Sequence, residues 1–250
     1  MGTVATPQNL VKVDIWSDVF CPYCFIGKRR LFNVAQQAGY QLDVVWHSFE
    51  LNPSESPEFK EGLVPKIAKK YGMTEAQSIE SQKRIAQVAT TEGIDFQWQK
   101  ARPTNSFDAH RLIHLAASFG LANEAEEALF LAYMTQGKLI SDHAVLQDIG
   151  EKLGIPTPTV KAMLESRQFT QDVRQDELMA RELGISGVPF FIFNDRLTVS
   201  GAQSRATFQE ALKQAASDFP LPASAIKQPS ATNDNAGICT DDVCTIPNAR

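Results

Sequence analysis

"VDIWSDVFCPYCFIGKRRL", from Val13 to Leu31, decides the reading of this 250-residue chain. Its first part continues an alternation in which Val11, Val13 and Ile15 stand between Lys12, Asp14 and Trp16, the period of a strand with two different faces. Its second part is helical: Leu31, Val34, Ala35 and Ala38 recur at helical spacing, and Gly39 is placed to close the helix. Leu42, Val44 and Trp46 then alternate again as a second strand. Two of the four cysteines, Cys21 and Cys24, sit at the junction of strand and helix. A strand–helix–strand unit of this length is expected to be parallel and right-handed.

The middle of the chain reads as helical. Thr74 and Gln77 have capping-box spacing, which predicts a helix to about Thr91 before Gly93. Ser106 is placed to cap the next helix, with Leu112, Leu115, Ala116 and Phe119 inward and Gly120 as its stop. Segments 123–136 and 142–153 end at Gly137 and Gly154. Thr157 and Pro158 open a short helix, and another runs from about Thr170 to Leu183. The pattern then returns to strands. Pro189 to Phe193 is a compact apolar run, Asn194-Asp195 reads as a turn, and Leu197 to Ser200 as the partner strand of a hairpin. Phe208, Ala211, Leu212 and Ala215 mark a closing helix.

These elements in this order are the thioredoxin arrangement interrupted by a long helical insertion, an α/β fold with an extended C-terminal tail. The divisions expected are residues 1–54 for the first half with the CPYC site, 55–184 for the helical insertion or lid, 185–217 for the second half, and 218–250 for a tail carrying Cys239 and Cys244. From Asp218 the composition turns to Pro, Ala, Ser, Asn and Asp, which predicts an irregular linker over about 218–237.

Composition narrows the function. Hydrophobic residues make up 43% and charged residues 21%, ordinary values for a globular protein. The net charge of −5 argues against nucleic acid as the main partner, since a phosphate-binding surface usually shows a basic excess. No run approaches the roughly 20 apolar residues of a membrane span. The first ten residues lack the pattern of a signal peptide. The expectation is a cytoplasmic protein, where paired cysteines are more often catalytic or metal-binding than structural.

Three chemistries compete for Cys21 and Cys24. Zinc needs further ligands at matching spacing, and neither Cys239 and Cys244 nor the four histidines supply it. A structural disulfide across so short a loop would remove little chain entropy. Redox chemistry fits the position. A cysteine at a helix N-terminus meets free N–H groups and the positive end of the helix dipole, both of which favour a thiolate. Cys21 is therefore the expected attacking thiolate, nearer the exposed end. Cys24, one turn further in, is expected to resolve a mixed disulfide.

Five stretches carry a resemblance: "SDVFCPYCFIGKRRL", "WHSFELNP", "NSFDAHRLIHLA", "GKLISDHAVL" and "GISGVPFFIFNDRLTVSGAQ". Spread over about residues 11–216, they resemble the DsbA family of thioredoxin-fold oxidoreductases, and within it the cytosolic FrnE-like branch. The resemblance implies thiol–disulfide exchange with disulfide- or thiol-bearing proteins. It implies no metal or organic cofactor, with glutathione or a thioredoxin-type reductant for recycling. It also implies a cis-proline at Pro189, packed on the cysteine pair and leaving the Val188 backbone free to pair with an extended substrate. Pro22, Tyr23 and Phe25 complete the substrate contacts it implies. The inner dipeptide Pro22-Tyr23 is that of glutaredoxins, where Pro-Trp is more usual in this branch, and this dipeptide tunes the redox potential. Some members carry a C-terminal Cys-x4-Cys like Cys239 and Cys244, read as a redox relay that swings to the active site or as two incidental thiols. A linker of about twenty flexible residues spans on the order of 25 Å, enough for that reach.

Glu50, just after the second strand, is the candidate proton relay to Cys24, with a capping or surface role as the alternative. His47 reads as structural. His110 and His114, four apart on one helix face, read as packing against the lid. Phe25, Ile26, Phe107 and Leu112 are expected to shape an apolar groove or the plain core, and Asp108 and Arg111 to pair at the surface or with the lid. Two rival functions remain. Glutathione-dependent 2-hydroxychromene-2-carboxylate isomerases and kappa-class transferases share the fold but typically have serine at the first cysteine. A chaperone-like peptide-binding module would use the groove without the thiols. The oligomeric expectation is a monomer or homodimer.

Overall fold

The computed structural model describes residues 10–217 together with the backbone of residues 244 and 245. The linker expected at 218–237 and Cys239 lie outside these residues. Strand β1 (Leu10–Ser17), helix α1 (Pro22–Ala38) and strand β2 (Gln41–Ser48) form the first unit. β1 and β2 are parallel, with Val13 beside Val44 and Ile15 beside Trp46. Gly39, at φ 75°, takes the left-handed conformation that ends α1 and donates its N–H to Ala35 and Gln36.

The second half begins with the two-residue strand β3 (Gly187–Val188), followed by β4 (Phe190–Phe193), β5 (Leu197–Ser200) and helix α9 (Arg205–Ser217). β4 runs antiparallel to β1, setting Phe191 beside Ile15, and β5 antiparallel to β4. The sheet order is therefore β2-β1-β4-β5. Both turn residues, Asn194 and Asp195, have positive φ, as a tight hairpin between right-twisted strands demands. Asn194 also accepts from the Lys12 N–H at 2.9 Å and donates to the Ala215 carbonyl at 2.8 Å, locking the turn to β1 and α9.

Between the halves lie α2 (Leu63–Tyr71), α3 (Glu75–Thr91), α4 (Phe107–Ala117), α5 (Ala122–Phe130), α6 (His143–Lys152), α7 (Thr157–Leu164) and α8 (Thr170–Glu182). The capping box opening α3 is present in both directions, Thr74 to Gln77 and back. Helix α2 escaped the sequence reading because it is short, carries Pro65 in its first turn, and buries little beyond Ala68. The expected cap of α4 moves by one residue: the Ser106 side chain makes no cap bond, and Asn105 accepts from the Phe107 N–H at 2.8 Å. Phe119, expected inward, is 46% exposed, because α4 has ended at Ala117 and the chain turns toward Gly120. Helix α5 continues as a π-helical turn, Leu131–Thr135.

The insertion shares one core with the sheet. Phe25 of α1 stacks on Phe130 of α5 at 4.8 Å between centroids. Trp16 of β1 donates to the Asp176 carbonyl of α8. Lys28 of α1 is buried against α5, donating to the Asn123 carbonyl at 3.0 Å and to Glu127 at 2.6 Å. A strand β6 (Cys244–Thr245) pairs antiparallel with β3, setting Cys244 opposite Val188 and Thr245 opposite Gly187.

Candidate active site

The turn between β1 and α1 builds the site. The Cys21 N–H bonds back to the Asp18 carbonyl at 2.9 Å. Cys21 is the extended residue before the helix, and Pro22 occupies the first turn, where its missing N–H costs nothing. Cys24 follows one turn later, its N–H on the Cys21 carbonyl at 3.1 Å. Both thiols are free. Neither is open to solvent: Cys21 is 0% and Cys24 2% exposed. This corrects the expectation that Cys21 lies at an exposed end. The Val188 carbonyl covers its sulfur at 3.6 Å.

The Val188–Pro189 peptide is cis. Pro189 meets α1 at Gly27, where an added Cβ would lie 3.0 Å from the Phe191 ring and 3.2 Å from the Pro189 ring. A glycine in the second turn of α1 thus sets how closely the proline strand approaches the cysteine helix. That role was hidden in the sequence, where Gly27 looks like an ordinary flaw in a helix.

Burial and the nearby Cys21 sulfur push the Cys24 thiol well above its ordinary pKa, against the pull of the Asp18 backbone and the Ser17 hydroxyl. A buried thiol of this kind is inert until something takes its proton. Asp18 is buried and its carboxyl is pushed up to about 6 by desolvation, against the Leu51 and Phe20 N–H groups that bond it. It ties the β2–α2 loop to the cysteine turn.

Glu50 does not reach the pair. Its buried carboxylate accepts from Asn105 at 3.3 Å and from Arg174 at 2.5 Å. Desolvation pushes it up to about 7, partly offset by Arg174. The loop after β2 carries it toward α8, so the expected relay to Cys24 is replaced by an ion pair across the insertion. The other expected contacts divide. Pro22 is partly exposed beside the thiols, and Val188 carries the backbone edge. Tyr23 and Phe25 are buried; Phe25 is stacked on Phe130 and belongs to the core. Ile26 and Leu112 are core as well. Asp108 pairs with Arg111 at 2.7 Å and with His143 at 2.9 Å, and Arg111 also ties to the α7–α8 connection through the Gln168 and Ser166 carbonyls.

His47, His110 and His114 take structural places. His47 stacks on Trp16 and bridges Asp14 and Asp176 at 3.0 and 2.8 Å. Burial works against its charge, but the two carboxylates prevail and raise it to about 9. His114 bonds the other Asp176 oxygen at 3.1 Å. His110 is fully buried, and desolvation drives it down to about 3, so it is neutral.

A cavity of about 110 Å³ opens beside the cysteine turn, between α2, α3 and the start of α1. Asp18, Phe20, Pro22, Lys66, Lys70 and Tyr71 contribute to its lining. Lys66 is paired with Glu55 at 2.5 Å. Lys70, whose pKa is lowered by burial against the opposing charges of Asp18 and Cys21, lies over the Tyr71 ring. Lys70 and Tyr71 come from the helix that the sequence reading missed.

The sequence model of the DSBA-like thioredoxin domain matches residues 12–213. The chain is 28% identical over 205 residues to the uncharacterized protein YwbO of Bacillus subtilis, covering 81% of this chain and 96% of that protein. It superposes on a probable DsbA oxidoreductase from Streptomyces coelicolor with a TM-score of 0.78 at 29% identity, over 95% of this chain and 100% of that one. A 2-hydroxychromene-2-carboxylate isomerase shares the fold at 18% identity and TM-score 0.62, over 81% of this chain and 95% of its own. The cytosolic disulfide reductase DsbM of Pseudomonas aeruginosa does so at 16% and 0.51, over 82% and 95%.

Proposed function

The chain belongs to the DSBA-like thioredoxin domain family, and from that premise we propose that it is a cytoplasmic thiol–disulfide oxidoreductase working through Cys21 and Cys24. What supports the reading most is the meeting at one point of the Cys21 sulfur, the Val188 carbonyl and the cis Pro189. The intact cysteine pair favours exchange over the isomerase chemistry that the shared fold would also accommodate.

In the reducing direction, the Cys21 thiolate attacks one sulfur of a substrate disulfide. A Cys21–substrate bond forms and the other substrate sulfur leaves as thiolate. Cys24 then attacks the Cys21 sulfur, closing the Cys21–Cys24 disulfide and releasing the second substrate thiolate. Two electrons have passed to the substrate, and glutathione or a thioredoxin-type dithiol restores the pair. The same steps reversed oxidise a substrate dithiol. Pro189 and the Val188 backbone align an extended substrate segment by strand addition. Pro22 offers it a partly exposed contact, while Tyr23 and Phe25 act through packing beneath.

Cys239 and Cys244 fit a relay. As a dithiol they would reduce the Cys21–Cys24 disulfide by the same two exchanges and end as a disulfide themselves. The pairing of Cys244 with Val188 supports this, since it brings the tail backbone to the edge beside the attacking sulfur.

The test is the reduction of insulin disulfides by dithiothreitol, followed by turbidity. Catalysis is expected for the wild type and lost in Cys21→Ser. A further partial drop in Cys239→Ser/Cys244→Ser is expected from the relay. A wild type no faster than dithiothreitol alone overturns the exchange reading.

A further inference from the structure

Glu126 stands on α5, in the insertion, yet its carboxyl is buried at the end of β1. One oxygen accepts from the Ser17 hydroxyl at 2.5 Å. The other is buried with no hydrogen-bond partner among the described residues. Ser17 is the last residue of β1, and its hydroxyl is a neighbour that pulls the pKa of the Cys24 thiol down, against the burial that raises it. Cys24, Ser17 and Glu126 are thus three polar groups at one buried point, each no more than 2% exposed.

Packing gives no reason for an acid at this point. A desolvated carboxyl with one oxygen unsatisfied is costly, and an apolar residue would serve the core better. The other acids near the cysteine turn are occupied. Asp18 holds the Phe20 and Leu51 N–H groups, and Glu50 holds Asn105 and Arg174. The charged groups facing Glu126 are Lys28 from α1, Asp18 from the turn after β1 and Glu127 from its own helix. Lys28 is already paired with Glu127 at 2.6 Å. Burial raises the Glu126 carboxyl to about 7, outweighing the pull of Ser17 and Lys28. A proton-transfer group is most effective when poised near the working pH.

We propose that Glu126 is the positioning residue that takes up and returns the proton of Cys24, acting through the Ser17 hydroxyl. The inference rests on the exchange reading above. Once Cys21 holds the substrate in a mixed disulfide, the Cys24 proton moves to the Ser17 oxygen as the Ser17 proton moves to the Glu126 carboxylate. The freed Cys24 electron pair forms the bond to the Cys21 sulfur. The Cys21–substrate bond breaks, and its electron pair leaves on the substrate sulfur, which takes a proton from water. No other oxidant or reductant enters. In the oxidising direction Cys24 is the leaving thiolate, and protonated Glu126 returns the proton by the same route.

The experiment uses the full chain in a Cys239→Ser/Cys244→Ser background with 5,5′-dithiobis(2-nitrobenzoic acid) in stopped flow. The first release of coloured thiolate reports attack by Cys21, and the second reports closure by Cys24. In the otherwise unaltered background the second phase is expected to rise through a pH step near 7. Glu126→Gln is expected to slow that phase roughly 10²-fold and to erase the step, leaving the first phase within about 2-fold. Ser17→Ala, which breaks the link but keeps the acid, is expected to do the same, and Glu126→Asp to restore part of the rate. Glu126→Gln is also expected to melt no lower than its parent, whereas a merely structural acid would lower the melting temperature. A second phase with its step intact in Glu126→Gln or Ser17→Ala overturns the relay while the exchange reading stands. Absence of any biphasic release in the parent overturns both.

Discussion

The Val188 carbonyl lies 3.6 Å from the Cys21 sulfur, and the backbone of the same Val188 pairs with Cys244. The edge proposed to receive a substrate strand is thus already taken by a segment of the chain itself. Only one strand can use these donors and acceptors at a time.

Truncation after residue 237 is therefore expected to lower the KM for an extended, disulfide-bearing peptide several-fold and to speed amide exchange at Val188. Full-length Cys239→Ser/Cys244→Ser, which keeps the strand, is expected to leave that KM unchanged. Equal KM values for the truncated and full-length proteins would mean that strand and substrate do not compete.

Gly27 leaves little room for a side chain, with the Phe191 and Pro189 rings 3.0 and 3.2 Å from an added Cβ. Gly27→Ala is expected to cost about 1–3 kcal/mol through overpacking, despite the better helix propensity of alanine. Because one of the two crowded neighbours is Pro189, next to the Val188 carbonyl on Cys21, exchange is expected to slow more than stability alone explains. Urea denaturation and the turbidity assay, read together, check this.

His47 is held charged between Asp14 and Asp176, its pKa raised to about 9. A raised value means that the folded state binds the proton more tightly. The stabilisation is therefore complete below the unfolded value of about 6.5 and lost as pH climbs through 9, on the order of 1–3 kcal/mol in all. The opposite limb comes from Asp176. Its pKa is lowered to about 2, burial being outweighed by the His114 and His47 bonds, so its contribution is lost only in strong acid. Melting temperatures across pH 6–10 should fall in the wild type, and the fall should flatten in His47→Asn.

Glu50 touches Asn105 and Arg174 rather than the cysteines. Glu50→Gln is expected to keep the rate of insulin reduction within about 2-fold and its pH profile unchanged. A profile shifted by a full unit would return Glu50 to the cysteine chemistry.

Local signals in the sequence determined much of this protein. The alternation of Val11, Val13 and Ile15, the proline after Cys21, the Thr74–Gln77 box and the Asn194-Asp195 turn each act over a few residues. Each can be read without knowing the fold. The four-stranded core, most insertion helices and the position of the cysteine pair follow from them. Helix α2 was not legible, since nine residues with an early proline and little buried surface leave no periodic trace.

Only the tertiary structure decided which groups surround the thiols. Glu126 lies 102 positions beyond Cys24 in the sequence, and Gly27 acquires its role from Pro189 and Phe191, 162 and 164 positions on. Glu50, close to the cysteines in sequence, turns toward α8. The physical reason is that a carboxyl's proton affinity and a glycine's necessity are set by burial, distance and the groups packed around them, and these come from elements that chain order separates.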